Sequence, residues 1–152
     1  MNSRSKRSRP VSKAASEPIA LRKFRSGFRW DCVALEPYKI GAHKGGDFRG
    51  ASRQVLAGKT GERVGFHVRY FELESGGFTS LERHRHSHFI IAIRGCGVCR
   101  LDDEEIALRP MDAIYIGPNR AHQLVAAKRG KFGFLCIVDA KRDEPRPVDG
   151  RR

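Results

Sequence analysis

The stretch GGFTSLERHRHSHFIIAIRG, residues 76–95, contains three histidines at alternate positions, followed by an uninterrupted apolar run. The histidines are His84, His86 and His88, and Glu82 precedes them by two residues. In an extended strand, residues two apart point to the same face, so a straight strand would present all four side chains together. Imidazole and carboxylate groups gathered in this way suit a divalent transition metal. The alternative interpretation is a cluster of surface histidines with no ligand.

A further imidazole lies downstream, at His122. It follows the turn sequence GPNR (117–120) and begins another apolar, strand-like segment. The wall of a barrel can bring this residue opposite the first cluster, and ligands from two strands make a rigid site. The sequence therefore predicts a metal site built from two distant segments.

Short extended segments separated by turn residues continue on both sides of this stretch. No amphipathic helix pattern interrupts them, and Gly76 and Gly77 are expected to separate the first two segments. Such a series is typical of an antiparallel sandwich or barrel, so the predicted fold class is all-β. The predicted strands are 64–74, 78–83, 88–94, 98–103, 105–109, 113–116, 121–127 and 132–140.

The histidine motif resembles the first motif of the cupin family. That motif runs Gly, five residues, His-x-His, three or four residues, Glu, six residues, Gly. One alignment takes His84 and His86 as the histidine pair. It puts Ile90, which cannot bind a metal, in the glutamate position, and Phe78 in the position of the first glycine.

A second alignment begins at Gly76 and keeps every spacing of the motif through to Gly95. Glu82 and His84 then occupy the two histidine positions, and His88 occupies the glutamate position. We favour this alignment because every ligand position holds a residue that can bind a metal. It leaves His86 beside the site, where it would line the cavity or orient a ligand.

The second cupin motif is matched less closely. It runs Gly, five residues, Pro-x-Gly, two residues, His, three residues, Asn. Here Met111 stands in the first glycine position, Asn119 in the second glycine position and Ala126 in the final asparagine position, while His122 falls on the histidine position. Asn tolerates the left-handed conformation that a glycine supplies, so we expect the turn and its ligand to survive.

The resemblance implies a double-stranded β-helix, or jelly-roll barrel, with one mononuclear metal site. The expected ligands are Glu82, His84, His88 and His122. Fe(II) or Mn(II) is favoured, and Ni(II), Co(II), Zn(II) and Cu(II) are also compatible with this donor set; no organic cofactor is expected. Related cupins perform dioxygenation, isomerisation and lyase reactions, of which dioxygenase-like chemistry on a small organic molecule is favoured here. The alternative is a cupin that binds or senses a ligand without turnover.

Two residues are candidates for catalytic or substrate-binding roles beside the metal. His86 is the first, as the histidine left between the ligands. Arg69 is the second, since it stands two residues from both His67 and Phe71 on an otherwise packed strand and can anchor a substrate carboxylate. An arginine at the barrel rim without such a role is the alternative interpretation of Arg69.

Charge is unevenly distributed along the chain. The 30 Lys and Arg residues against 17 Asp and Glu give +13, and residues 1–29 alone carry nine cations against one acid, giving +8. We predict a disordered basic tail that can bind polyanions or remain only solvated, an N-terminal arm that packs on the barrel, the cupin barrel and a C-terminal tail. These four segments span residues 1–27, 28–60, 61–142 and 143–152.

Partners and location follow from weaker signals. Small single-domain cupins commonly form homodimers, and we expect the arm, with Trp30 and Tyr38, to contribute to such an interface. No apolar run approaches the length of a membrane span and no secretory signal is recognisable, so a cytoplasmic protein is expected. Cys96 and Cys99 form a CxxC between two extended runs, where no helix follows to activate a thiol; we interpret them as strand and turn residues.

Overall fold

A computed structural model of the chain describes residues 20–39 and 46–148, and every regular element in these ranges is a β-strand. These ranges therefore contain no helix that could cross a membrane. The predicted basic tail lies outside the described residues as far as residue 19. The thirteen strands are β1 Phe24–Arg25, β2 Arg29–Trp30, β3 Glu36–Pro37, β4 Arg49–Ala57, β5 Phe66–Phe78, β6 Glu82–Arg83, β7 His88–Arg94, β8 Gly97–Leu101, β9 Glu104–Leu108, β10 Ala113–Ile116, β11 His122–Ala126, β12 Phe132–Asp139 and β13 Arg146–Pro147.

Eleven of these strands form one antiparallel sheet that curls into a nearly closed barrel. On one side β4, β5, β12, β7 and β10 lie next to one another in that order. On the other side β11 pairs with β8 and β6, β8 pairs with β9, and β6 pairs with the C-terminal strand β13. This arrangement confirms the predicted all-β jelly-roll fold.

The strand β5 runs through both halves of the barrel and differs from its predicted bounds. We expected Gly76 and Gly77 to end a strand at Glu74, but β5 continues to Phe78. The register with β4 shifts between the pairs Arg49–Phe78 and Ala51–Leu73, so the glycines lie in a bulge. A Cβ on Gly77 would lie 2.8 Å from the backbone oxygen of Arg49, so glycine permits the close approach that keeps the strands paired.

The barrel interior is filled by apolar side chains that alternate along the paired strands. Phe71 on β5 stacks on Phe134 of β12, with 5.5 Å between ring centroids. Tyr38, from the segment before β4, packs against Phe71 and is itself buried. Burying such aromatic side chains supplies much of the driving force for folding.

The outer face of β5 is also covered, by the short hairpin β1–β2. Phe28 stacks on Tyr70 at 5.7 Å between centroids, and Trp30 contacts the same ring at 5.0 Å. Tyr70 is fully buried as a result. The described aromatic residues of the predicted arm therefore pack on the barrel of their own chain.

Candidate metal centre

Three histidines converge at one end of the barrel. His88 begins β7 and His122 begins β11, while His84 lies in the turn that follows β6. All three are buried, and a ring nitrogen of each lies within 4.8 Å of a ring nitrogen of the other two. The structure thus brings together three of the four predicted ligands as a group that could hold a metal ion.

Hydrogen bonds to backbone carbonyls orient two of these rings. His84 donates from Nδ1 to the carbonyl oxygen of His86 at 2.8 Å, and His122 donates from Nδ1 to that of Arg120 at 2.9 Å. Because Nδ1 holds the proton, Nε2 keeps its lone pair free for a metal. Nε2 of His84 lies 2.8 Å from Nε2 of His88, close to the roughly 3 Å expected between adjacent nitrogens bound about 2.1 Å from one metal ion. The residues therefore fit a metal ion.

The protonation of the three imidazoles favours this role. Burial, followed by the neighbouring His122 and His86, lowers the pKa of His84 to about 4. Burial is also the main cause that lowers the pKa of His88 and of His122. All three rings are therefore neutral at neutral pH, which is the form that binds a metal.

Glu82, the fourth predicted ligand, lies beside this group. It is the register partner of His122 between β6 and β11. Its Oε2 accepts hydrogen bonds from Nζ of Lys39 at 2.8 Å and from the hydroxyl of Ser80 at 2.7 Å. Burial alone would raise the pKa of Glu82, but these two donors outweigh it, so the pKa is lowered and the carboxylate is ionised. Oε1 accepts no hydrogen bond from a described residue.

His86 is bound by the C-terminal segment. Its Nδ1 lies 2.9 Å from Oδ1 of Asp143, and the carboxylate of Asp143 also accepts the backbone N–H groups of Arg85 and His86. The ring of His86 stacks on that of His84, with 3.6 Å between centroids. His86 therefore touches a candidate ligand through its ring and its carbonyl, and it is not one of the three converging histidines.

The turn before His122 supports the site through its backbone. Asn119, in a glycine position of the second motif, has φ +61° and donates its N–H to the carbonyl of His84 at 2.7 Å. Met111, in the other glycine position, has φ +76°. Both positions thus keep the left-handed conformation that the motif assigns to glycine, and Asn119 ties the two histidine segments together.

A cavity of about 240 Å³ opens next to the histidines. His88 and His122 form part of its wall, together with the apolar residues Ile90 and Leu124. Each of these apolar residues lies two positions after one of the histidines and therefore faces the same side of its strand. Arg69, the predicted anchor, also lines it. The charged side chains that line this cavity are Lys39, Arg53, Arg69, Arg142 and Glu82.

Sequence reasoning missed several of these lining residues. Arg53 comes from β4, within the predicted arm, and Arg142 follows β12 in a charged stretch that has no local pattern. Cys136 is fully buried on β12 and lies 3.0 Å from Nδ1 of His88. Cys96 and Cys99 are unpaired and lie outside the cavity wall. Burial raises the pKa of Cys99 to about 11.

The barrel and its converging histidines define a small double-stranded β-helix protein with a candidate mononuclear metal site. The chain belongs to the cupin family, and the cupin domain profile matches residues 69–138. It is 39% identical over 127 residues to 1-methylthio-D-xylulose 5-phosphate methylsulfurylase of Rhodospirillum rubrum, covering 82% of this chain and 77% of that protein.

Two crystal structures show the same fold. A cupin 2 conserved barrel domain protein from Rhodopseudomonas palustris superimposes with a TM-score of 0.75 at 37% identity, covering 86% of this chain and 88% of that chain. A cupin-2 domain from Rhodospirillum rubrum superimposes with a TM-score of 0.71 at 36% identity, covering 85% and 84%. Both likenesses extend beyond the segment matched by the cupin domain profile.

Proposed function

We propose that this chain is a metal-dependent enzyme that acts on a small phosphorylated sugar carrying a sulfur substituent, the class of compound in the name of its Rhodospirillum rubrum relative. The cavity is the observation that carries the proposal. Among the described residues, its wall holds His88 and His122, two of the three converging neutral imidazoles, together with four cationic side chains and one carboxylate. Such a cavity suits a small anion that also meets a metal ion.

The proposed ligands are His84, His88, His122 and Glu82. The Nε2 atoms of His84 and His88, which lie 2.8 Å apart, and Oε1 of Glu82, which accepts no hydrogen bond from a described residue, support this set. Nitrogen and carboxylate donors suit Fe(II) or Mn(II), and Ni(II), Co(II), Zn(II) and Cu(II) are also compatible. A metal ion bound there would polarise a carbonyl or hydroxyl oxygen of the substrate as a Lewis acid.

The proposed reaction removes a methylthio group from a carbon next to a ketone. In the named compound the sulfur is attached to C1, adjacent to the carbonyl at C2. An external thiol attacks this sulfur, so that the C1–S bond breaks, an S–S bond forms, and the thiol proton ends on C1. C1 is reduced to the methyl group of a methyl ketone while the two sulfurs are oxidised to a mixed disulfide, so the reaction needs no oxygen.

Nuclear magnetic resonance and an oxygen electrode test this proposal together. The full chain, loaded with Mn(II) or Fe(II), is incubated with 1-methylthio-D-xylulose 5-phosphate in the presence or absence of a monothiol such as cysteine. We expect the S-methyl signal of the substrate to disappear and a methyl ketone signal to appear only with thiol, with no oxygen consumed. Stoichiometric oxygen uptake would instead support the dioxygenase-like chemistry that the sequence favoured. Binding without turnover under every condition would support the ligand-binding alternative.

The proposed protein is a homodimer, and its location and polyanion binding are expected from the sequence. A homodimer is supported by the exposed side chains of Phe89, Met111 and Tyr115 near the edge strand β10, and light scattering at micromolar concentration would detect it. The cytoplasmic location stays a prediction. Polyanion binding through residues 1–27 also stays a prediction, and affinity for DNA or RNA that falls steeply with salt would support it.

A further inference from the structure

We infer that Arg53, Arg69 and Arg142 form the binding site for the phosphate group of the substrate. The inference rests on the proposed function for the identity of that substrate. The three guanidinium groups line one cavity close to the histidines.

Strand register places two of the arginines on the inner face of adjacent strands. Arg69 lies two residues before Phe71 on β5, so both side chains point to the same face, and Phe71 packs in the core. Arg53 on β4 is the register partner of Phe71, and Cys136 on β12 is the register partner of Arg69. The guanidinium groups of Arg53 and Arg69 therefore reach one cavity from neighbouring strands.

Arg69 lacks the partners that a partly buried guanidinium group normally has. Its Nε is buried and makes no hydrogen bond. Among the described residues, its Nη2 donates only to the thiol of Cys136 at 3.4 Å, and its carbon Cζ lies 5.0 Å from the centroid of the Phe71 ring. A thiol is a weak acceptor, and Arg69 pairs with no carboxylate among the described residues. A buried donor without an acceptor is costly, and a bound anion would satisfy it.

Arg142 brings a second charge to the cavity wall, without a carboxylate partner among the described residues. Its described partners are the backbone carbonyl of Asp139 and Nδ1 of His67, neither of which is anionic at neutral pH. Partial burial, followed by the nearby charge of Arg69, lowers the pKa of Arg142. Arg53 does pair with Glu36, but that bond uses only its Nε, at 3.0 Å. The cluster therefore keeps an excess of positive charge in the folded chain.

The remaining cation of the cavity has a different partner. Lys39 pairs with Glu82 at 2.8 Å, on the histidine side. Charge is therefore balanced next to the proposed metal ligands and unbalanced at the arginines. Guanidinium groups donate parallel hydrogen bonds to phosphate oxygens, so a dianionic phosphate monoester is the ligand that best matches three of them.

The distance between the two sides limits the size of the substrate. Cys136 contacts both Nη2 of Arg69, at 3.4 Å, and Nδ1 of His88, at 3.0 Å. A single thiol therefore separates the arginine cluster from a proposed ligand. A small sugar phosphate can place its phosphate on the arginines and its carbonyl end near the histidines at the same time.

Calorimetric titration with inorganic phosphate tests the site directly. The full chain is used both with its metal and after treatment with a chelator, so that binding by the metal ion is separated from binding by the arginines. We expect phosphate to bind in both states. Arg69→Met and Arg142→Met should each weaken binding about 10- to 100-fold, the loss expected for a hydrogen bond to a charged group. Metal content should not change.

Arg100→Met is the matched control. The substitution removes the same charge, but Arg100 lies outside the cavity and pairs with Glu105. Equal phosphate affinity in Arg69→Met, Arg142→Met and the wild-type chain would overturn the inference, as would an equal loss in Arg100→Met, which would indicate a general charge effect. If Arg69→Met fails to fold, Arg142→Met decides the outcome, because Arg142 is more exposed than Arg69 and its substitution disturbs the core less.

The same variants separate this inference from the proposed reaction. Phosphate binding that depends on the arginines, together with no turnover of the methylthio sugar, would keep the site and reject the reaction. Turnover with an unchanged KM for the phosphorylated substrate in Arg69→Met would keep the reaction and reject the site.

Discussion

The two faces of β5 carry charged side chains with opposite surroundings. On the outer face, Glu72 accepts hydrogen bonds from the hydroxyl of Tyr70 at 2.8 Å, from Arg94 at 2.6 Å and from Lys131 at 3.0 Å. On the inner face, Arg69 donates to a thiol alone among the described residues and leaves its Nε without an acceptor there. Within the part of the chain that the structure describes, every charge in the outer group is paired and the charge of Arg69 is not.

This difference indicates which polar groups stabilise the fold and which ones await a ligand. Burial alone would raise the pKa of Glu72, but hydrogen bonds from Tyr70 and Lys131 and the charge of Arg94 lower it overall. The outer carboxylate is therefore stabilised in its charged form by the folded chain. Arg69 on the inner face, and the imidazoles of the candidate metal centre near it, gain comparable partners only from an anion and a metal ion.

Removing one of the three converging histidines gives the largest expected effect. His84→Ala, His88→Ala or His122→Ala should each lower metal content from about one ion per chain to nearly none, because one of the proposed metal ligands is lost. The free energy of unfolding of the metal-free chain should change little by comparison. Elemental analysis by mass spectrometry and urea unfolding measure the two quantities.

His86→Ala and Glu82→Ala sharpen this prediction. His86→Ala should retain a metal with affinity reduced about 10- to 100-fold, as expected when a residue that orients a ligand is removed. Glu82→Ala should lose most of the metal. Full occupancy in Glu82→Ala, combined with loss in His86→Ala, would favour the alignment that pairs His84 with His86.

Local sequence patterns predicted the all-β fold and the convergence of three histidines, and for a physical reason. Alternation with a period of two reflects the pleat of a strand, and the turn glycines and Asn119 fix the spacing between strand ends. The convergence of His84, His88 and His122 follows from such spacing within two short segments. The bulge at Gly77 was not predicted, because it depends on the approach of β4 from a distant part of the chain.

The arginine cluster could not be predicted in the same way. Arg53 and Arg142 are distant in sequence and meet Arg69 only because β4 and β12 both pair with β5. No local pattern distinguishes an arginine that faces the cavity from one that faces solvent. The sequence therefore indicated Arg69 alone. The pairing of the strands was needed to show that Arg53 and Arg142 add their positive charges to the same cavity.

Removing the outer carboxylate should give the second largest effect. Glu72→Ala leaves the buried hydroxyl of Tyr70 without an acceptor and removes the partner of Arg94, so we expect the free energy of unfolding to fall by about 2–3 kcal/mol. Urea unfolding at neutral pH measures this change. Phosphate and metal binding by the folded fraction should stay as in the wild-type chain. A loss below about 0.5 kcal/mol would show that the outer charges do not stabilise the fold.

Removing the inner arginine should give the smallest effect on stability. Arg69→Met keeps an apolar stem over Phe71 and loses an attraction between charge and ring of about 0.5–1 kcal/mol. It also removes a buried donor without an acceptor and a like charge close to Arg142, which act in the opposite direction. We therefore expect the free energy of unfolding to stay within about 0.5 kcal/mol of the wild-type value, or to rise.

Added phosphate should then distinguish the two chains. A ligand that binds only the folded state raises the free energy of unfolding by RT ln(1 + [L]/Kd), so millimolar phosphate should shift the urea midpoint of the wild-type chain and leave that of Arg69→Met nearly unchanged. The two faces of β5 would not differ in the way proposed if Arg69→Met lost as much stability as Glu72→Ala. They would also not differ if phosphate stabilised both chains equally, because the unpaired guanidinium group would then have no part in holding the anion.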